Sequence, residues 1–218
     1  MSGRPDSDHE SERAGMVRLL IEHYGLRDER ILRAMGRIRR HLYIPEHFRD
    51  SGRAYGDHPC SIGSGQTISQ PYIVAYMTEK LQVEAGDKIL EVGAGSGYQS
   101  AVLAELGARV FSIEILPELA EHALSTLRGE GYAGVSVRNG DGYAGWPEEA
   151  PFDSIIVTCS PEELPEALVE QLKDGGRMIL PVGAIGGQQL VVLSKQGRDV
   201  RRQYDLHVRF VPMVRGES

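Results

Sequence analysis

Three glycines at alternate positions, Gly93, Gly95 and Gly97, sit between an apolar run, 88–92, and a helical pattern, 98–106. A second apolar run, 109–113, follows and ends in Glu114, about 20 positions beyond the first glycine. Strand, glycine turn, helix, strand, acid is an order that builds a ligand site from backbone geometry. Glycine lets the main chain approach a ligand closely and adopt φ > 0 where needed. The free N–H groups at the start of the following helix favour a negative group. A carboxylate at the tip of the next strand can accept hydrogen bonds from both hydroxyls of a ribose. A second set of groups comes earlier, in Gly63-Ser64-Gly65-Gln66-Thr67-Ile68-Ser69. By its residue types this is a flexible, hydroxyl-rich loop, able to close on a ligand and offer hydroxyl and N–H groups. Ser69 also stands where the N-cap of the next helix belongs.

Several ligands could use the glycine turn. Dinucleotide sites want G-x-G-x-x-G with a small residue last. Here the third glycine comes one position early, and the bulky Tyr98 takes the place of the small residue. That spacing resembles the S-adenosylmethionine-binding turn of class I methyltransferases, which holds the methionine end of its cofactor and has no pyrophosphate to cradle. The turn by itself leaves NAD, and a tight βα turn with no ligand, open as readings. Asp141 and Gly142 follow the third strand, where an adenine would lie: Asp141 to accept from its exocyclic amine, Gly142 to give backbone access. The sequence N-G-D-G is also a strong turn in its own right.

The elements that position these groups alternate from residue 88 onward. Strands are predicted at 88–92, 109–113, 135–138, 154–157 and 177–182, with helices at 98–106, 117–128 and 165–172 between most of them. Such alternation implies a mostly parallel sheet with helices on both faces, a Rossmann-like α/β fold whose ligands bind beyond the carboxyl ends of the strands. The runs 188–194 and 201–211, joined across Gln196-Gly197, read as a hairpin and hence an antiparallel C-terminal edge. The N-terminal extension is helical. A helix over 14–24 ends at Gly25, a second over 29–38 is capped by Asp28, and a third starts near Pro71 and runs to about Leu81. One domain is expected: a disordered polar tail over 1–13, helices and the reacting loop over 14–82, the cofactor-binding core over 83–183, and C-terminal strands over 184–218.

Composition narrows the classes. A chain of 218 residues with 41% hydrophobic residues suits a soluble globular domain, and its net charge of −7 argues against general nucleic-acid binding. Arg37, Arg39 and Arg40 form a local basic cluster that reads as a solvated helix end. Cys60 and Cys159 show no metal spacing and read as reduced thiols of a cytosolic protein. No histidine pair has ligand spacing on a helix, so no metal site is expected. No apolar stretch approaches membrane-spanning length, and the polar start is neither a signal nor a transit peptide.

The segment before the glycine turn is the more specific one. Residues 54–75 read AYGDHPCSIGSGQTISQPYIVA. The pattern A-Y-x-D-x-P followed by I-G-x-G-Q-T-I-S-Q-P-Y-I-V-A-x-M closely resembles the protein-L-isoaspartate O-methyltransferases. Later segments agree: LEVGAGSGYQSAVLAEL, the NGDG turn, APFDSIIVT, LPEALVEQLKDGGRMILPVG and VRFVPMV, so that the resemblance spans roughly residues 42–214. It implies that Ser69 is the active-site serine. Gln66, Thr67, Ile68 and Ser69 would line the cofactor, S-adenosyl-L-methionine, with Val74 close to it. The glycine turn with Ser96, together with Glu114, Asp141 and Gly142, would bind the same cofactor, and Val214 would lie near the site.

The reaction so implied is methyl transfer to the free α-carboxylate of an L-isoaspartyl residue in a damaged protein or peptide, leaving S-adenosyl-L-homocysteine. The ester then closes to a succinimide that can reopen to normal aspartate. The expected enzyme is a cytoplasmic monomer with isoaspartyl peptides and proteins as partners and neither nucleic acid nor membrane. The chemistry fits what the chain lacks. An α-type carboxylate with a pKa of roughly 3.5 is already ionised at neutral pH, so no general base is required. Asp57 in AYGDHP could orient the loop, touch the peptide, or simply form a turn before Pro59. An extended peptide could also pair with the C-terminal edge as an added strand. Cys159 stands where the family usually has a small residue, and Cys60 where a proline or another residue is more usual. Other readings are methyl transfer to a small-molecule acid or hydroxyl, an NAD-dependent oxidoreductase, and a non-catalytic protein that kept the cofactor fold.

Overall fold

Near-continuous apolar runs along the predicted central strands produce a sheet buried on both faces. The computed structural model describes residues 6–49 and 54–216. In chain order its elements are α1 (Asp6–Glu22), α2 (Glu29–Arg37), β1 (Cys60–Gly63), β2 (Gln66–Ile68), α3 (Pro71–Leu81), β3 (Lys88–Val92), α4 (Tyr98–Glu105), β4 (Arg109–Glu114), α5 (Pro117–Gly129), β5 (Ser136–Asn139), β6 (Phe152–Val157), α6 (Glu166–Gln171), β7 (Leu172–Val182), β8 (Gln189–Gln196) and β9 (Asp199–His207). Seven strands form one sheet in the order β5-β4-β3-β6-β7-β8-β9. The pairs from β5 to β7 are parallel, and β8 and β9 add antiparallel. Ile89, Val110, Ile156 and Ile179 pack with the helices of the N-terminal half, while Leu90, Ile113, Ile155 and Met178 face a second core that includes Leu168 of α6. The α/β class, the parallel centre and the antiparallel edge agree with the sequence expectation.

Four local readings change. Helix α1 begins at Asp6, inside the segment read as a disordered tail. The His9 ring stacks on His41 with centroids 4.0 Å apart, and Met16 and Leu20 are buried, so polar residues at the start continue a helix anchored further along. The segment read as a flexible loop is a hairpin, β1 paired antiparallel to β2. Ser64 and Gly65 turn it with φ of +50° and +70°, the backbone of a two-residue type I′ turn, which glycine makes easy and which composition alone reports as loop. Of the arginine cluster, Arg37 pairs with Glu105 and Arg39 bidentately with Glu130, but Arg40 is fully buried. Its Nε donates to the Ala54 carbonyl at 2.7 Å and its guanidinium lies 4.9 Å from the centroid of the Tyr98 ring, which replaces part of its lost hydration.

The fourth change concerns the start of α3. Its N-cap is Gln70, with no capping hydrogen bond of its own, so Ser69 is not the cap. The missing acceptor comes from Asp57. One carboxylate oxygen accepts the Tyr72 N–H at 3.0 Å; the other accepts the Tyr24 hydroxyl at 2.5 Å and the Gln70 amide at 2.7 Å. That hydrogen bond, with burial, pushes the Tyr24 phenol up to about 12. Asp57 thus ties the turn after α1, its own loop and the start of α3 together. Asp57→Ala should cost about 1–3 kcal/mol, because it uncaps α3 and strands two polar side chains. Urea unfolding reads this, and an unchanged midpoint would return Asp57 to the role of a simple turn residue.

Candidate active site

The chain runs from β3 outward to β4 and β5, then returns to lay β6 against the other side of β3. The crevice between the ends of β3 and β6 is therefore the switch point of the sheet, where open parallel sheets bind ligands. Gly93, Gly95 and Gly97 follow β3 with φ of +97°, +52° and +86°. A Cβ on Gly93 would lie 2.6 Å from Thr158 Oγ1, so glycine is required for that close approach. Thr158, just past β6, donates to the carbonyl of Gly93 at 2.6 Å and seals the two strand ends. Glu114, at the tip of β4, accepts the Gly95 N–H at 2.7 Å and the Leu116 N–H at 3.0 Å. Each oxygen keeps a second lone pair for a hydroxyl.

These strand ends enclose a cavity of about 970 Å³ counting its open mouth. Among the sequence-predicted residues, Gln66, Thr67, Ile68, Ser69, Val74, Gly93, Gly95, Ser96, Glu114, Gly142 and Val214 line it. Three others do not. Gly97 starts α4 in a left-handed conformation and packs against Leu127 and Ala123. Asp141 accepts the backbone N–H groups of Tyr143 at 2.8 Å and Gly216 at 3.2 Å, as its strong turn sequence suggests. Asp57 holds α3. Gly142 is indispensable for packing: a Cβ there would come within 2.4 Å of Val92 Cγ1.

Sequence reasoning passed over Glu91, Gln99, Leu116 and Met213, which also line the cavity. The signal for Glu91 was an acid inside the apolar run of β3. Its side chain is wholly buried; Oε2 accepts from the hydroxyls of Ser100 and Ser112, and Oε1 has no hydrogen-bond partner. Burial pushes its pKa up to about 8; the two hydroxyls act against this rise and the Glu114 charge adds to it. Cys159 lines the cavity too, and burial pushes its thiol up to about 12, which suits an inert thiol better than a reactive one. The cavity fits a nucleoside with a charged tail. It has the volume, a glycine cradle that no side chain could occupy, a carboxylate at a strand tip with lone pairs to spare, and an unpartnered buried carboxyl oxygen.

Fold and site together define a Rossmann-like methyltransferase of class I. Over residues 11–218 the chain matches the protein-L-isoaspartate(D-aspartate) O-methyltransferase family, and it belongs to that family. Protein-L-isoaspartate O-methyltransferase 2 of Anaeromyxobacter sp. is 48% identical, the match covering 98% of this chain and 89% of that one. A solved protein-L-isoaspartate O-methyltransferase is 29% identical with a TM-score of 0.82, the match covering 92% of this chain and 65% of the length of the other. A Plasmodium falciparum structure, solved in complex with S-adenosyl-L-homocysteine, has the same fold at 24% identity, with a TM-score of 0.82 and coverage of 94% and 98%.

The raised pKa of Glu91 has a measurable consequence. From its ordinary 4.5 up to about 8, the unfolded chain gives up this proton while the folded chain keeps it. Stability from this group is therefore full below 4.5 and is lost as the pH rises through about 8. Glu91→Gln keeps a neutral side chain and removes that slope. Relative to the parent, the variant should gain roughly 2–4 kcal/mol between about pH 5 and pH 8 in urea unfolding. Parallel stability curves for the two proteins would sink the assignment.

Proposed function

We propose that this protein transfers a methyl group from S-adenosyl-L-methionine to the free α-carboxylate of L-isoaspartyl residues in damaged proteins and peptides. The resulting ester closes to a succinimide, which starts repair. Family membership supports the reaction. The observation that carries the assignment of roles is that Ser69, Thr67, Ile73, Thr158 and Val211 line both the strand-end cavity and an adjoining groove. A cofactor in the first and a peptide in the second would meet at these residues.

Bound adenosylmethionine supplies an electrophilic methyl group; the protein's residues bind, orient and exclude water. Glu114 is the acceptor for ribose hydroxyls. Gly93, Gly95 and Ser96 form the wall against the methionine end, and Gln66, Thr67, Ile68 and Val74 cover it. Ser69 is half-buried, and no described residue bonds its hydroxyl, so it is free to donate to the isoaspartyl carboxylate and aim it. The carboxylate needs no base, because it is ionised at neutral pH. Alignment in a closed site is then the main requirement. The reading extends to a single-domain cytoplasmic monomer, with residues 14–82 supplying the reacting hairpin, 83–183 the cofactor core and 184–218 the C-terminal edge. The net charge of −7 supports peptide rather than nucleic-acid partners.

The deciding assay is methanol release after incubation of an isoaspartyl peptide and its aspartyl twin with labelled adenosylmethionine. Only the isoaspartyl form should be methylated; labelling of both, or of neither, would discard the substrate. Ser69→Ala should then lower kcat about 10- to 100-fold, the value of one hydrogen bond to a charged group. Affinity for adenosylhomocysteine should stay within about twofold in the same variant. Unchanged turnover would remove Ser69 from the reaction.

A further inference from the structure

The groove beside the cavity has a charge of its own. Its lining includes Pro59, Gln70, His207, Arg209 and Phe210 and contains no carboxylate. Arg209 and His207 are exposed, and no hydrogen bond or ion pair engages either side chain among the described residues. The acids on neighbouring elements are already occupied: Asp57 by Tyr24, Gln70 and Tyr72, and Asp205 by the Tyr76 hydroxyl at 2.7 Å and Lys80 at 3.8 Å. In a chain of net charge −7, residues 198–215 carry five arginines against two aspartates. Of these arginines Arg209 alone lines the groove, whose own lining therefore carries one guanidinium, one imidazole and no carboxylate.

The backbone here is also laid out for a peptide. Gln188 takes both polar groups of Phe210, with Nε2 donating to its carbonyl at 3.0 Å and Oε1 accepting its N–H at 2.6 Å. Val208 N–H donates to the Gln188 carbonyl at 3.1 Å, and Ser160 N–H donates to the Val211 carbonyl at 2.8 Å. These bonds pin the segment to Gln188 and Ser160. The N–H groups of Arg209 and Val211 find no acceptor among the described residues. An extended chain in the groove can pair with them.

Resting on the reading of the cavity and groove above, we propose that Arg209, assisted by His207, is a specificity-determining residue that selects isoaspartyl peptides carrying a carboxylate side chain next to the damaged residue. Arg209 lines the groove but not the strand-end cavity, whereas Ser69 lines both. The guanidinium therefore serves a flanking carboxylate and stays off the reacting one, whose nucleophilicity a direct ion pair would reduce. An exposed ion pair contributes modestly, and a like charge costs a similar amount.

The test is a set of isoaspartyl peptides, identical except for Glu, Gln or Lys stepped through the three positions on each side of the isoaspartate. At one or two positions kcat/KM should rank Glu over Gln over Lys, spanning about 5- to 20-fold at low salt and shrinking as salt is added. Arg209→Gln should collapse the Glu/Lys ratio toward one, and Arg209→Glu should invert it. Anisotropy of labelled Glu and Lys peptides in the presence of adenosylhomocysteine gives the same ranking without turnover. A wild-type enzyme indifferent to flanking charge overturns the inference, as does an Arg209→Gln loss equal for all peptides. If no isoaspartyl peptide is methylated, the proposed function fails separately, and the anisotropy ranking alone decides for or against Arg209.

Discussion

One carboxylate holds the reaction centre together. Glu114 accepts the Gly95 N–H at 2.7 Å and the Leu116 N–H at 3.0 Å, while the carbonyl of Ile113 takes the N–H groups of Gly93 and Ala94 at 2.8 and 3.0 Å. The end of β4 thereby fixes the turn that follows β3, and that turn fixes the first residue of α4. Without these acceptors, main-chain donors would face the cavity wall unpaired, at a cost of about 1–3 kcal/mol each. On the other flank Thr158 bonds the carbonyls of Val92 and Gly93, so the glycine turn is held from both neighbouring strands. A carboxylate that shapes its own pocket in this way cannot be changed without moving the pocket.

The start of α4 is braced by two buried polar groups of opposite kind. Ser100 on α4 donates to Glu91 on β3, and the Tyr98 ring lies beneath the Arg40 guanidinium from the N-terminal extension. Neither group has a full ion-pair partner. Burial pushes Glu91 toward the neutral acid, and the arginine relies on a carbonyl and an aromatic face. The extension is therefore part of the cofactor wall: Arg40, Tyr43 and Tyr98 pack as one cluster, with the two tyrosine rings edge to face.

Periodicity revealed the sheet because each central strand is apolar on both faces, and the glycine turn was legible because its φ values tolerate little else. The hairpin of β1 and β2 was not, since Gly-Ser-Gly reads as loop whether its positive φ values pair two strands or wander. Ser69 misled as a cap for a related reason. A hydroxyl one residue before the N-cap looks correct in sequence, but the acceptor that caps α3 is Asp57, supplied across the fold. Asp141 has a turn role that its own sequence favours, one oxygen accepting the Tyr143 N–H and the other the Gly216 N–H. Glu91 was hidden inside an apolar run, where only the strand's alternation could have shown it facing Ser100 and Ser112.

The distribution of charge around the junction follows from the nucleophile. A carboxylate that is already ionised gains nothing from a base and loses reactivity beside a cation. It is repelled by other carboxylates in proportion to their charge and proximity. The cavity answers both constraints with neutral groups at the junction: Ser69, Thr67 and Thr158 are hydroxyls, and Glu91 is held toward its protonated form in the wall behind them. Glu114 remains the one fixed negative group of the lining, with its oxygens turned to backbone donors. The positive charge stands one step away, on Arg209 in the groove, where it can draw in an anionic peptide without touching the reacting oxygen. In the proposed reading, attraction and alignment fall to different residues on either side of Ser69.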